Sequence, residues 1–335
     1  MKPRQFLDWT PQLQSDMSRH FDYPTDNTLA IVIPVWQAEA HVSAAPAECY
    51  LRQAFWMTKF ILEATDAADE RVPIYIAVSD TIAELAEQYC DACNFSPSNL
   101  LVFEYNSSAS HFSNKFSALF HAGLDRYGRL LHMDTCFQFG THPTQRKQPC
   151  FSELKQLWRN GCIAVVGDYK QPRPWQHSML SSLGGFDGTE TAFWDALAMA
   201  TGKKNAEWQR LYWTQHSGQY WVTGAMFGLP HKFLNSPDFR SLVCKLSQLK
   251  GMWDESILLA YMLKHNMNGA NIVNVESAFW WANFDDPDVK PYDMRPVMYV
   301  PWDSSVPKSE WEERHRNPYG IRPETSHLRF SGVEE

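Results

Sequence analysis

Acidic side chains at the ends of apolar runs are the residues of this chain best suited to chemistry. Asp80 directly follows one apolar run, and Asp134 interrupts another. Asp254 and Glu255 stand side by side at the start of a helical pattern. A carboxylate can take a proton from a hydroxyl group, and it can also hold a divalent cation. These four residues are therefore the first candidates for acid–base or binding chemistry.

Several common catalytic motifs are missing from the sequence. No G-x-G-x-x-G follows the first apolar run, and neither G-x-x-x-x-G-K nor G-x-S-x-G occurs. These absences argue against a dinucleotide-dependent oxidoreductase, a P-loop enzyme and an α/β serine hydrolase. The seven cysteines are an odd number, which favours reduced thiols over a disulfide framework. Cys90 and Cys93 have zinc-ligand spacing, but without a second pair two ordinary thiols are favoured over a zinc site.

Composition places the chain among folded globular proteins. It has 335 residues, 44% of them hydrophobic, and its 30 basic and 38 acidic residues give a net charge of −8. A negative net charge without a basic cluster argues against duplex nucleic acid as a partner. The longest apolar stretch near the start, Leu29–Trp36, falls short of the roughly 20 residues of a membrane helix. Because the first residues do not resemble a secretory signal, we expect a cytoplasmic protein without a transmembrane segment, and leave peripheral membrane contact open.

Strand-like and helical patterns alternate along the first 140 residues. The predicted strands are Leu29–Trp36, Val72–Ser79, Leu100–Tyr105 and Arg129–Phe139, and the predicted helices between them cover residues 46–64, 81–93 and 113–127. This alternation predicts an α/β fold with a mostly parallel sheet and flanking helices. Ligands of such sheets bind beyond the carboxyl ends of the strands, where Asp80 and Asp134 fall.

The second half of the chain is less regular. The predicted helices cover residues 152–160, 189–201, 236–250 and 254–268, and the predicted strands cover 163–166, 220–229 and 271–277. Seven prolines follow Asp285, which predicts an extended arm or a partner surface there.

Five segments taken together resemble a known class of enzymes. They are IPVWQAE (33–39), IAVSD (76–80), NKFSALFHAGL (114–124), LLHMD (130–134) and WDESILLAYML (253–263). Their order resembles the GT-A class of nucleotide-sugar glycosyltransferases, and within it the large inverting family with an Asp-x-Asp turn and a Glu-Asp pair opening a late helix. The resemblance implies a GT-A fold and transfer of a sugar from a nucleotide-diphosphate donor to a hydroxyl group of a glycan or glycolipid.

The resemblance also implies roles for individual residues. It assigns nucleotide-sugar binding to Pro34, Val35, Trp36, Glu39, Asp80, Asn114, Lys115 and Asp134. Glu255 aligns with the usual catalytic base and Asp254 with its neighbouring acid, which we expect to cap the helix. The candidates for acceptor binding are Trp221, Thr223, Gly224 and Trp253, because aromatic rings can stack on sugars.

The resemblance leaves the metal open. Asp134 matches the first acid of the Asp-x-Asp turn, which implies a Mn²⁺ or Mg²⁺ ion there. Cys136 occupies the third position of that turn, however, and Trp280 and Trp281 stand where many relatives have a metal-binding histidine. A hard divalent ion prefers oxygen ligands, so a metal at Asp134 is in doubt.

The resemblance divides the chain into four parts and leaves two alternative functions. The parts are an N-terminal extension (1–28), a nucleotide-sugar-binding half (29–140), an acceptor-binding and catalytic half (141–284) and a C-terminal arm (285–335). A sugar-phosphate nucleotidyltransferase would share the sheet and the strand-end acids, although the chain lacks its glycine-rich basic loop. A non-catalytic GT-A-like module that binds carbohydrate is the second alternative. Formation of a glycosidic bond from a nucleotide sugar would separate the leading hypothesis from both.

Overall fold

The computed structural model describes most of the chain between Thr28 and Val275. The described residues are 28–37, 72–93, 97–135, 151–158, 161–168, 190–216, 221–249, 252–267 and 271–275, with eight further positions between 47 and 61. They form a mixed α/β fold with mostly parallel strand pairs, so the predicted fold class is confirmed. The predicted C-terminal arm and residues 1–27 of the predicted N-terminal extension lie outside the described residues.

The chain divides into two compact units, each made of separate segments. The first unit contains the described residues of 29–103 and 131–157, and the second contains those of 104–130 and 158–274. Neither unit coincides with one of the predicted halves, whose boundaries stay a prediction.

The first unit contains the strands whose ends carry the predicted donor residues. Its strand order is β3-β2-β1-β4, with β1 at Leu29–Val35, β2 at Ile74–Ser79, β3 at Leu100–Phe103 and most of β4 at Arg129–Met133. The β1–β2 and β2–β3 pairs are parallel. Every residue of β1 and β2 is buried, as expected for parallel strands covered on both faces.

Helices of the first unit cover these strands. A buried stripe at helical spacing is described between 47 and 61, at Ala47, Tyr50, Leu51, Ala54, Phe55, Met57, Thr58 and Ile61. The first helix with defined ends, α1, spans Ala83–Cys93 and follows a short 3-10 turn at Asp80–Ile82. A later helix of this unit, α3, spans Phe151–Leu157.

The second unit is built around a long strand and a buried helix. Its elements are α2 (Asn114–Leu119), β5 (Ile163–Asp168), α4 (Glu190–Thr201), α5 (Asn205–His216), β6 (Trp221–Pro230), α6 (His231–Leu234), α7 (Pro237–Ser247), α8 (Asp254–Lys264) and β7 (Ile272–Asn274). Strand β5 pairs antiparallel with β6 and parallel with β7. Helix α8 packs against β6, α5 and α7, and its first ten residues are all buried. No described helix is long and apolar enough to cross a membrane.

Three described helices differ from the sequence-based expectation, and one of them is the short α6, which was not predicted. The predicted helix over 113–127 is shorter, because Phe120 leaves the helical conformation at φ −83° and ψ 4°. A 3-10 turn at Ala122–Leu124 follows, and the His121 ring caps it by accepting the Gly123 N–H at 3.0 Å. Helix α5 was not expected from the sequence. It follows α4 after Gly202, whose φ of +75° reverses the chain at little cost in a glycine.

Gly228 on β6 is required by its contact with Trp158. The Trp158 indole is 1% exposed, and a Cβ at position 228 would overlap its six-membered ring. We therefore expect Gly228→Ala to lower the free energy of unfolding by about 1–3 kcal/mol, the usual cost of overpacking a core. Urea unfolding measures this change. The control repeats the Gly228→Ala substitution in a Trp158→Phe protein, where the smaller ring should make the loss of unfolding free energy smaller. An equal loss in the parent and in the Trp158→Phe protein would contradict the contact.

Candidate functional site

Helix α8 places the predicted catalytic pair in its first turn. Trp253 is the N-cap residue, with φ −92° and ψ 158°, and Asp254 and Glu255 follow it inside the helix. The expected role of Asp254 as the cap is therefore wrong, because the preceding residue occupies that position. The Trp253 ring stacks on Phe112, with centroids 4.2 Å apart and an interplanar angle of 22°. This contact packs the start of α8 against the loop that precedes α2.

Gly224 on β6 makes room for both carboxyl groups. A Cβ at this position would lie 2.5 Å from Asp254 Oδ2 and 2.6 Å from Glu255 Cδ, closer than real Cβ contacts. The two acids can therefore lie against β6 only because residue 224 has no side chain. Gly224 was predicted to bind the acceptor, and the structure places it in close contact with the predicted catalytic pair, Asp254 and Glu255.

Lys115 is the cation that lies beside this pair. Its Nζ donates to Asp254 Oδ2 at 3.0 Å and to the Gly224 carbonyl at 3.1 Å. The Lys115 and Asp254 side chains are only 3% and 0% exposed, so this ion pair is buried. Removing one partner of such a pair leaves an uncompensated buried charge, which costs several kcal/mol, roughly 3–5.

The second carboxyl group of the pair, that of Glu255, is also buried. Burial raises the pKa of Glu255 well above its usual range, and the Asp254 charge raises it further, whereas Lys115 opposes the shift. Within the described part of the chain, Glu255 Oε2 is buried and has no hydrogen-bond partner. Glu255 therefore keeps its proton to a higher pH than an exposed glutamate does.

The loop before α2 is fastened to its surroundings by polar contacts. Asn114 Oδ1 accepts the Asn106 N–H at 2.9 Å, and the Asn114 amide group donates to the His111 carbonyl at 3.3 Å. The Ser110 hydroxyl donates to the carbonyl of Met252, just before α8. These contacts fix α2, and with it Lys115, relative to the start of α8.

The predicted donor residues of the first unit lie at the carboxyl ends of neighbouring strands. Pro34 and Val35 end β1, Trp36 follows them and is 8% exposed, and Asp80 follows β2. Asp80 lines a cavity of about 710 Å³ together with Gln37, Ala47, Thr81, Ile82, Glu84, Leu85 and Gln88.

Three polar residues of this cavity were missed by the sequence analysis. Gln37 directly follows Trp36, and its Oε1 accepts the Ala47 N–H at 2.8 Å. Glu84 and Gln88 follow Asp80 at successive four-residue intervals, the spacing that places side chains along one helical face. That spacing is a signal that could have identified them.

Asp134 carries the predicted metal site, and the described residues do not complete it. Asp134 is buried after β4, and its Oδ1 accepts the Thr135 N–H at 3.0 Å. No group of three His, Cys, Asp or Glu side chains suited to a metal ion occurs among the described residues. Mg²⁺ usually keeps several waters and binds through one or two carboxylates together with substrate phosphates, so a metal ion at Asp134 stays a prediction.

The structure brings some predicted site residues together and leaves others apart. In the second unit Lys115, Gly224, Asp254 and Glu255 form one cluster, hereafter the carboxylate cluster. Asn114, next to Lys115 in the chain, is buried, and its side chain forms hydrogen bonds with the loop before α2. Trp221 and Thr223 lie on β6, with side chains outside the description. Glu39, Cys136, Trp280 and Trp281 lie outside the described residues, and the donor and acceptor assignments stay predictions.

Replacing Glu255 should stabilise the protein in a pH-dependent way. Because its pKa is raised on folding, the folded state loses stability as pH rises from the ordinary glutamate range through the raised value. We expect Glu255→Gln to have a larger free energy of urea unfolding than the parent at neutral pH, because the amide group has no charge to bury. The difference should vanish in acid. Glu87→Gln, at an exposed position, is the control, and a pH-independent difference for Glu255→Gln would contradict the burial argument.

Comparison with known proteins finds similar chains among solved structures. No protein-family model matches the chain, and no curated protein matches it. The bifunctional glycosyltransferase WbbM, in its apo form, is 12% identical with a TM-score of 0.41, over 75% of this chain and 39% of that one. The galactosyltransferase LgtC, solved with donor and acceptor sugar analogs, is 12% identical with a TM-score of 0.37, over 88% of this chain and 98% of that one. The chain thus spans about two fifths of the length of WbbM.

Proposed function

We propose that this chain is an inverting glycosyltransferase that moves a sugar from a nucleotide-diphosphate donor to a hydroxyl group of a glycan or glycolipid. The observation that carries the proposal is the buried Glu255 carboxyl group. Its Oε2 lacks a described partner, while the neighbouring Asp254 is held by Lys115. A cytoplasmic location is part of the proposal and rests on the odd number of cysteines, seven.

The proposed reaction is a direct displacement at the anomeric carbon of the donor. The acceptor oxygen forms a bond to that carbon while its proton passes to Glu255 Oε2. The bond from the carbon to the diphosphate oxygen breaks, and the nucleoside diphosphate leaves with the electron pair. This step needs one base and one group that offsets the charge developing on the diphosphate, and the configuration at the carbon inverts.

The environment of Glu255 suits it to act as that base. An acid of raised pKa binds the transferred proton more firmly than an exposed glutamate, and general-base catalysis is most effective when the pKa lies near the working pH. Turnover is therefore expected to rise with pH as Glu255 ionises. Gly224 supports this role because a larger residue would push the carboxyl group out of place.

The cavity of the first unit is the proposed site of the nucleoside part of the donor. Its volume, about 710 Å³, lies in the range of roughly 300–1,000 Å³ usual for small-molecule sites. Asp80 and Glu84 bring negative charge, which disfavours a phosphate group and favours the N–H and O–H donors of a base or ribose. Pro34, Val35 and Trp36 are proposed to lie near the base, and Trp221, Thr223 and Trp253 near the acceptor.

Removing the proton-accepting oxygen of Glu255 should lower turnover. Glu255→Gln keeps the size of the side chain, so we expect kcat to fall by about 10²–10⁴ with little change in nucleotide affinity. Product formation from UDP, GDP, CMP and TDP sugars, with a panel of glycan acceptors, measures the effect, and Glu87→Gln is the control. Asp254→Asn should act mainly through stability, because it leaves Lys115 buried without its counter-charge.

Other outcomes of the same assay would favour the alternative functions. A Glu255→Gln variant with the kcat of the parent would contradict the assignment of the base. Consumption of a sugar 1-phosphate with a nucleoside triphosphate would indicate a nucleotidyltransferase. Binding of carbohydrate without any turnover would indicate a non-catalytic module.

Loss of the Asp80 carboxylate should weaken nucleotide binding. One hydrogen bond to a charged group contributes about 1.5–3 kcal/mol, so we expect Asp80→Ala to raise the Kd of the preferred nucleoside diphosphate by an order of magnitude or more. A thermal-shift titration measures it, because a ligand of the folded state raises the Tm. Glu87→Ala, on the following helix but outside the cavity lining, is the control. Equal affinity in parent and Asp80→Ala would place the nucleotide elsewhere.

A further inference from the structure

The Lys115 ammonium forms an ion pair with the Asp254 carboxylate. The sequence resemblance assigns Lys115 to the ribose or diphosphate of the donor. In the structure the side chain is 3% exposed, and its Nζ donates to Asp254 Oδ2 and to the Gly224 carbonyl. Both partners belong to the carboxylate cluster, so the ammonium contributes its charge there.

Two neighbouring carboxyl groups in one buried place do not ionise independently. The first to ionise makes the second harder to ionise, so the pair retains a proton to higher pH than an isolated acid would. The residue that retains this proton is decided by any asymmetry in the surroundings. Here the asymmetry is Lys115, because its ammonium forms a buried ion pair with Asp254, 3.0 Å from Oδ2.

We propose that Lys115 is a positioning residue of the reaction, whose ammonium keeps Asp254 ionised and so leaves the exchangeable proton to Glu255. This inference rests on the proposed function, in which Glu255 is the base. Lys115 touches neither reacting atom in this role, since it acts through Asp254. Without its charge, Asp254 would compete with Glu255 for the proton.

The charges around Glu255 agree with this role. The charged groups that shift its pKa are Asp254 on its own helix, which raises it, and Lys115 on α2, which lowers it. Gly224 faces it from β6; this residue carries no charge, and its carbonyl oxygen accepts a hydrogen bond from the Lys115 ammonium. The Lys115 ammonium is thus held by the Gly224 carbonyl and by the Asp254 carboxylate together. These two contacts set the distance from its charge to the two acids.

Carbon-13 NMR of the side-chain carboxyl groups tests the proposal on the full chain. The signals of Glu255 and Asp254 are assigned with the Glu255→Gln and Asp254→Asn variants and followed through a pH titration. In Lys115→Met, we expect the upper apparent pKa of the pair to rise by about one unit or more, with Asp254 sharing the titration step. Lys115→Arg keeps a cation and should return the titration to that of the parent.

Two results of this titration would overturn the proposal. One is a Lys115→Met variant whose carboxyl groups titrate as in the parent. The other is a Lys115→Arg variant that behaves like Lys115→Met, because the charge would then not be the property that matters.

A stability measurement decides the question if Lys115→Met folds poorly. Without the cation, Asp254 becomes an uncompensated buried carboxylate, and its cost disappears where Asp254 is protonated. Lys115→Met should therefore be destabilised in neutral buffer and close to the parent in mildly acidic buffer, in urea unfolding. Equal destabilisation in both buffers would mean that Lys115 acts by packing alone, and would overturn the proposal.

Kinetics and binding separate this proposal from the proposed function and from a phosphate-binding role. The acid limb of the kcat profile should move to higher pH in Lys115→Met, together with the NMR titration. An increase in the Kd of a nucleoside diphosphate with an unchanged Glu255 titration would make Lys115 a donor ligand and overturn the positioning role. A shifted titration in a protein whose Glu255→Gln variant turns over normally would instead refute the proposed function and leave the charge assignment standing.

Discussion

The absence of a side chain at Gly224 is the constraint on which the carboxylate cluster depends. Two adjacent carboxyl groups are buried in the first turn of α8 because β6 leaves open space opposite them. The positive end of the helix dipole favours negative charge in that turn, but it is too weak to balance two buried acids. The Lys115 ammonium supplies the remaining compensation, and it is held in place by the carbonyl of the same glycine.

The two units offer two different kinds of polar site. In the first unit Asp80 is exposed at the carboxyl end of a parallel strand, beside a cavity that water and a ligand can enter. In the second unit Asp254 and Glu255 are buried in the first turn of α8. Burial disfavours the ionised carboxylate and raises the pKa of Glu255. Exposed acids suit recognition of hydrogen-bond donors, whereas a buried acid suits proton transfer.

Much of the aromatic content supports the core of the second unit and is not available to sugars. Trp158, Trp194 and Trp208 are fully buried, and Phe116 packs against Phe239 beneath α2 with ring centroids 5.6 Å apart. The contact between Phe116 and Phe239 joins α2, which carries Lys115, to α7. Stacking on a sugar ring, suggested by the number of tryptophans, needs an exposed face that these three do not have.

The sequence by itself determined most of the strands and helices, though not α5 and α6, and the acids that follow them, because apolar periodicity and strand-end polarity are local properties. Asp80 after β2, Asp134 after β4 and the acid pair at the start of α8 were predicted in this way and lie at those ends. Only the tertiary structure decided that Lys115 meets an acid 139 positions away in the chain, and that Gly224 leaves room for both carboxyl groups. Contacts between distant residues depend on how elements pack, which no local pattern records.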